Sequence, residues 1–171
     1  MRRVLAIISV VSGVWLASAQ PTLAQDAIGR AFADAFYGEV GISEIVRERP
    51  DVSMLEKAEM NELLKAKDAL AAFFQALKPG AKDDVRAFLD PSLAGRFADK
   101  TALRRERFGA AAYLSFEIID FRISEGVDEI KLRYFLSESD QGKALIRQRA
   151  ATFRHIGDRW LIAEFDNFQF D

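Results

Sequence analysis

Apolar and polar residues alternate along the second half of this chain and recur every three or four positions along the first. From Val127 to Ser137, Ile130, Leu132, Tyr134 and Leu136 share one phase while Glu129, Lys131 and Arg133 share the other. That is a strand with one buried face. Tyr113 to Ser124 also alternates, but its phase slips at Ile118-Ile119. Leu114 and Phe116 fall on one side, and Ile119, Phe121 and Ile123 on the other. A β-bulge at the slip would bring both sets to one face. Gly126 marks the turn between these strands, and Ser137 to Gly142 reads as a polar hairpin loop.

Lys143 to Asp171 reads as two long strands around a tight turn at Gly157-Asp158. A two-residue turn sets His155 opposite Trp160, Phe153 opposite Ile162 and Arg149 opposite Asp166. One face then carries Phe153, Trp160 and Ile162 before turning charged at Arg147, Arg149, Glu164 and Asp166. The other carries Ile146, Gln148, Ala150, Thr152, Ala163 and Phe165. Neither is uniformly apolar. We therefore expect a second bulge at Ala150-Ala151, where the inward phase switches.

The first half is helical. Ile28, Phe32, Phe36 and Val40 form an apolar stripe at a spacing of four, followed by Gly38, Gly41 and Pro50 as breakers. Such a helix either clamps the domain's own flank or docks on a partner. Ser53 and Glu56 match a capping box, so the main helix is expected to begin there. Leu63, Leu70, Phe73, Phe74 and Leu77 give it an apolar stripe, and Pro79-Gly80 stops it. A short helix over Asp83–Leu89 follows. Asp90-Pro91 then opens a third helical stretch, broken near Asp99. Arg104-Arg105-Glu106-Arg107 is a basic cluster, read as a solvated helix face ahead of an anion site.

Helices first and four antiparallel strands after make an α+β domain, with N-terminal helices packed on a curved four-stranded sheet. Ahead of it, Met1-Arg2-Arg3 is cationic, Val4 to Leu16 is apolar, and small residues end at Ala19 and again at Ala24. This pattern is that of a secretory signal peptide over residues 1–24, cleaved after Ala19 or Ala24. The apolar run is too short to span a membrane, so no span is expected after cleavage. A periplasmic or secreted location follows. Loss of Arg2 and Arg3 takes the formal charge from −2 to −4. A mildly acidic chain without a basic run is a poor nucleic-acid partner. There are no cysteines and one histidine, His155, which removes thiol chemistry and leaves little for a metal cluster. No Gly-rich phosphate loop, nucleophile elbow or metal-spaced carboxylate cluster is present, so no cofactor and no metal are expected.

Taken together, the long first helix, the AFLDPSLAGRF segment at Ala87 to Phe97 and the closing FRHIGDRWLIAEFD at Phe153 to Asp166 resemble the NTF2-like superfamily. That cone-shaped fold is shared with ketosteroid isomerase-like and polyketide cyclase-like proteins. The resemblance covers residues 61–171 and leaves 25–60 as a helical extension that also holds the start of the main helix. It implies a space between sheet and first helix, lined here by Phe74, Phe116, Tyr134, Gln148, Trp160 and Glu164. The fourteen phenylalanines either fill that space or wall a hollow one for an apolar ligand. Ketosteroid isomerase-like members imply a general-base carboxylate opposite a Tyr. Asp120, Glu164 or Asp166 and Tyr113 or Tyr134 are the candidates, yet none sits in a motif that matches residue by residue. Asp166 is expected to pair with Arg149 across the strands instead. Dehydratase-like members use a His, and His155 falls at the rim beside the Gly157 turn. Catalytic residues therefore stay unassigned. The expected role is a non-enzymatic, exported binding module for an apolar small molecule or a protein partner, including a homodimer through the sheet. The alternatives are a lyase or isomerase acting on a cyclic apolar substrate, and an envelope assembly subunit docking through Asp26 to Val40.

Overall fold

The computed structural model describes residues 23–37, 52, 54–108, 112–140 and 143–167. The expected signal peptide lies outside the described residues except for Leu23 and Ala24, which open helix α1 (Leu23–Tyr37). The candidate cleavage site after Ala24 thus falls in the first turn of that helix. Of the α1 stripe, Phe32 and Phe36 are buried and stacked at 5.3 Å, and Phe36 meets Phe121 edge-on at 5.7 Å. Ile28 is exposed, and Val40 lies outside the described residues. Lys67 Nζ donates to the Ala35 carbonyl, fastening α1 to the next helix. The stripe is used on the chain's own flank.

Helix α2 (Lys57–Leu77) starts later than the Ser53 box predicts. Ser53 lies outside the described residues, and the cap is Glu56, whose backbone N–H donates to the Glu59 carboxylate at 2.8 Å. Acidic side chains suit this end, where backbone N–H groups lack intrahelical partners. A domain boundary at 60/61 therefore cuts α2 within its first turn. At 1.5 Å per residue the helix is about 32 Å long. Leu63, Ala66, Leu70, Phe73, Phe74 and Leu77 bury one stripe of it. Pro79-Gly80 ends it as expected, with Gly80 at a φ of 79°.

A 3₁₀ turn over Val85–Phe88 takes the place of the short helix at Asp83–Leu89. Helix α3 (Pro91–Ala94) begins as the Asp90-Pro91 pair predicts, with Asp90 accepting from the Ser92 N–H at 2.8 Å. Asp99 caps α4 (Lys100–Leu103) by accepting from Ala102 N–H at 2.8 Å, and the chain continues into a π-helical turn over Arg104–Phe108.

Four antiparallel strands follow, β1 (Ala112–Ile123), β2 (Glu129–Asp140), β3 (Lys143–Ile156) and β4 (Arg159–Asn167), in the order β1-β2-β3-β4. The domain is α+β. β2 keeps its expected phase, but it runs through Ser137 to Asp140, so the expected hairpin loop is mostly strand. The β1 bulge is where the phase slip put it: Ile118 lies opposite Tyr134 and Asp120 opposite Arg133, leaving Ile119 as the extra residue. Phe116, Ile118, Phe121 and Ile123 therefore share one face.

The second expected bulge is displaced. β2 and β3 pair without interruption from Glu129↔Arg154 to Asp140↔Lys143, so no phase switch occurs at Ala150-Ala151. The slip is in β4: Thr152 is opposite Glu164 and Phe153 opposite Ile162, which leaves Ala163 unpaired. An edge strand loses least by carrying an unpaired residue. The beginning of that edge is covered: the Asp90 N–H donates to the Ile162 carbonyl at 2.8 Å and Arg159 Nη2 to the Ala87 carbonyl at 2.9 Å. Because the slip is in β4, Arg147, Arg149, Ala151 and Phe153 all face the way Tyr134 faces, and Phe165 joins them. Asn167, rather than Asp166, lies opposite Arg149, while Asp166 lies opposite Ala150. Arg149 and Asp166 are therefore not the directly opposed cross-strand residues that were expected.

The buried residues of α1, α2, the loops and this inner face make one continuous apolar cluster. α2 touches β2 and β4, and α1 touches α2 and β1.

Candidate functional site

Three of the residues expected to line an internal space do meet. Phe74 of α2 lies 5.7 Å from the Phe116 ring and 5.8 Å from Tyr134, and Phe116 lies 6.1 Å from Tyr134. Phe73, Phe108 and Phe165 extend the group, with Phe73 5.2 Å from Phe165 and 6.0 Å from Phe108. At such spacing the rings touch one another. The middle of the helix–sheet space is filled.

The other expected lining residues lie elsewhere. Trp160 is buried on the inner face but at its far end, where its Nε1–H donates to Glu62 of α2 at 2.8 Å. Gln148 lies opposite Phe135, on the face turned away from α2, and its Nε2 is buried without a hydrogen-bond partner. Glu164 is exposed on that same outer face. Gln148 was placed inward by the expected phase switch at Ala150-Ala151, and Glu164 by unbroken alternation from Trp160 and Ile162; the uninterrupted β2–β3 pairing and the β4 bulge at Ala163 turn them outward.

Nor do the candidate bases converge. Asp120 accepts from Arg133 Nη1 at 2.8 Å on the outer face. The side chains of Asp166 and Tyr113 lie outside the described residues. His155 is exposed at the turn, its ring centroid 5.0 Å from Trp160. Tyr134 is fully enclosed. Burial pushes its hydroxyl pKa well up, with nearby Arg149 opposing and Glu138 adding to the rise. The phenol stays protonated.

What the structure adds is a charged group at the hairpin end of the inner face. Continuing the β2 alternation past Leu136 brings Glu138 inward, and it is only 2% exposed. On β3, Arg147 lies opposite Leu136 and Arg149 opposite Tyr134. Arg147 Nε stands 3.0 Å from Glu138 Oε2, and Arg149 Nη2 stands 3.6 Å from Oε1. Oε2 has that charge contact without an aligned hydrogen bond. The Arg149 guanidinium carbon also lies 5.8 Å from the Phe108 ring centre, within cation–π range. Arg147 differs from its neighbour: its side chain is 52% exposed.

A cleft opens beside this group. Phe74, Leu77, Phe108 and Leu136 wall it, and Lys78, Arg104 and Glu138 stand at its polar side. It holds about 10 Å³ of free space, room for roughly one water. Of the Arg104–Arg107 cluster, Arg104 thus belongs to the cleft, while Arg105 is exposed and Arg107 pairs with Glu106 at 3.6 Å. A second cleft, of about 100 Å³, is lined by Asp120, Phe121, Arg122, Lys131 and Arg133, all from one strand pair. Its walls are charged apart from Phe121. Among the described residues, no group of three or more His, Asp or Glu could hold a metal ion, and no helix is long and apolar enough to cross a membrane.

Sequence reasoning saw the face turn charged at Arg147 and Arg149 but missed Glu138, which it placed in a loop. The signal was available: Ile130, Leu132, Tyr134, Leu136 and Glu138 are one unbroken phase.

No family model matches the chain, and no curated protein matches it. Among solved structures, the chain is similar to a SEC-C motif containing protein from Rhodopseudomonas palustris, determined in solution. The identity is 14% and the TM-score 0.41, over 80% of this chain and 92% of that one.

Proposed function

We propose that the chain is an exported, non-enzymatic module of the NTF2-like type that binds the apolar part of a small molecule at the open end of its helix–sheet space. Register breaks at Tyr113/Ser115 and Ile118/Asp120 in β1 and at Thr152/Phe153 in the β3–β4 pair support a curved sheet, as the cone requires. The N-terminal cationic and apolar pattern supports export. One observation carries the site: four apolar side chains, Phe74, Leu77, Phe108 and Leu136, form a wall beside a charged rim where the ring cluster stops. Apolar walls with a few placed polar groups are how small ligands are held. With so little free space, an occupant seats shallowly or swings a ring aside, and Phe108 is the wall residue nearest the surface.

Nothing favours catalysis equally. A general base must offer a lone pair to a substrate proton. Glu138 turns its oxygens toward guanidinium groups, Asp120 is held by Arg133, and Glu164 stands in water. Docking through α1 would require Phe32 and Phe36 to leave the core.

Titration with the apolar fluorophore N-phenyl-1-naphthylamine tests the proposal. Saturable uptake is expected, tighter in Phe108→Ala and abolished in Leu77→Arg. If neither the natural chain nor a folded Phe108→Ala variant takes up the dye, the module is not a small-molecule binder.

A further inference from the structure

We propose that the ligand of this cleft is an amphiphile with a carboxylate on an apolar chain, and that the outer edge of Arg147, held in place by buried Glu138, receives the carboxylate. The inference rests on the binding reading above and deepens it.

Glu138 is almost wholly enclosed at the polar side of the cleft, and a carboxylate is not left there uncompensated. Two arginines compensate it, and they are not equivalent. Arg149 is largely buried, opposite Tyr134, with Phe108 in cation–π range. Arg147 approaches Glu138 through Nε, while its side chain stays half in solvent. A guanidinium has five donors in a planar fork. When the Nε edge faces an internal acid, donors on the terminal nitrogens are left for another partner, and among the described residues none is seen to take them. Such a fork matches a carboxylate bidentately.

Position completes the case. Arg147 pairs across the strands with Leu136, which is one of the four apolar wall residues, and the next inward residue of β2 is Glu138. An apolar chain seated on Phe74, Leu77, Phe108 and Leu136 would therefore carry its end group out beside Arg147. Among the described residues lining the cleft, the other charged groups, Lys78 and Arg104, are basic, and Glu138 is the one acid. That acid is already turned toward the arginines. An anionic end group meets attraction there, and a neutral one must be taken from water without a partner that favours it.

Glu138 is on this account a positioning residue: it fixes where the Arg147 fork points and does not touch the ligand.

Displacement of bound N-phenyl-1-naphthylamine at pH 8 tests this, with dodecanoate, dodecanol and acetate as competitors. Dodecanoate is expected to displace the dye at a concentration at least tenfold below dodecanol, and acetate not at all. Arg147→Leu should remove the preference for the acid while dodecanol displaces as before, and Arg147→Lys should restore part of it. In Glu138→Gln the acid-to-alcohol ratio should also fall, whereas a merely structural role would weaken both competitors alike. Equal displacement by dodecanoate and dodecanol, or parallel loss of both in Arg147→Leu, overturns the carboxylate assignment and leaves apolar binding standing. Competition by acetate alone overturns the amphiphile. Absence of dye uptake in both the natural chain and a folded Phe108→Ala variant removes the binding reading and this inference with it.

Discussion

The two ends of the inner sheet face are built from opposite materials. At the Gly157 end, Phe153, Ile162, Ile130 and Trp160 close the space with apolar side chains, and the indole nitrogen is tied to Glu62 of the covering helix. At the hairpin end the same strands present Glu138, Arg147 and Arg149. Burial of apolar surface stabilises roughly in proportion to area, whereas a buried ion group near breaks even against its desolvation. One end holds the fold together. The other is maintained at little net gain in stability, as the proposed ligand contact requires.

The largest effect should come from the closed end. Phe153 has no exposed surface, and Phe153→Ala should cost about 3–5 kcal/mol by lost transfer energy and the cavity left behind. Urea denaturation measures it. Dye affinity, measured where the variant is still folded, should hardly change. A loss below about 1 kcal/mol would mean that this end rearranges freely and that the contrast between the ends is false.

Much of this division was readable beforehand, and the part that was not has a definite cause. Alternation in β2, the slip at Ile119, the Asp90-Pro91 start and the stop at Pro79-Gly80 all depend on local rules, and each is where the residues put it. The placement of Gln148 and Glu164 depended on which of two adjacent strands carries a bulge. That is a choice between pairings, and a single strand's pattern does not contain it. Arg149 looked wrong for an inward position because an inward arginine needs an inward acid. The acid, Glu138, sits on a neighbouring strand two residues past the last apolar position, so only cross-strand register reveals it. Similarly, the cap moved from Ser53 to Glu56 because a Glu three residues on satisfied the box equally well.

An intermediate effect is expected at the open end. Glu138→Gln removes the anion that faces Arg149 and should cost about 1–3 kcal/mol, the penalty of a buried charge that has lost one partner. Removing all three charges together, as Glu138→Leu, Arg147→Met and Arg149→Met, should return stability to within about 1 kcal/mol of the natural chain, since a buried ion group can be replaced by apolar side chains at little cost. Denaturation midpoints decide between the two. A triple variant as unstable as the single one would show that the group is structural cement, and the open end would then differ from the closed end only in chemistry, not in role.

The smallest effect sharpens the comparison from the other side. Glu62 is held below its usual carboxylate pKa by the hydrogen bond from Lys65 first and that from Trp160 second, partly opposed by burial. A carboxyl whose folded pKa is depressed contributes stability that is fully present above its unfolded value and is lost as the pH falls through the folded one. Acid should therefore loosen the closed end by releasing Trp160 from α2. Glu62→Gln should be less stable than the natural chain at pH 7 by about 0.5–1 kcal/mol, the net value of one partly exposed hydrogen bond. Toward pH 3 the gap should shrink, because protonation of Glu62 in the natural chain removes the same charge. Urea midpoints at the two pH values measure both numbers, and Trp160 fluorescence reports whether the indole is the group set free. An unchanged gap would place the tie elsewhere, and the closed end would then rest on apolar packing alone.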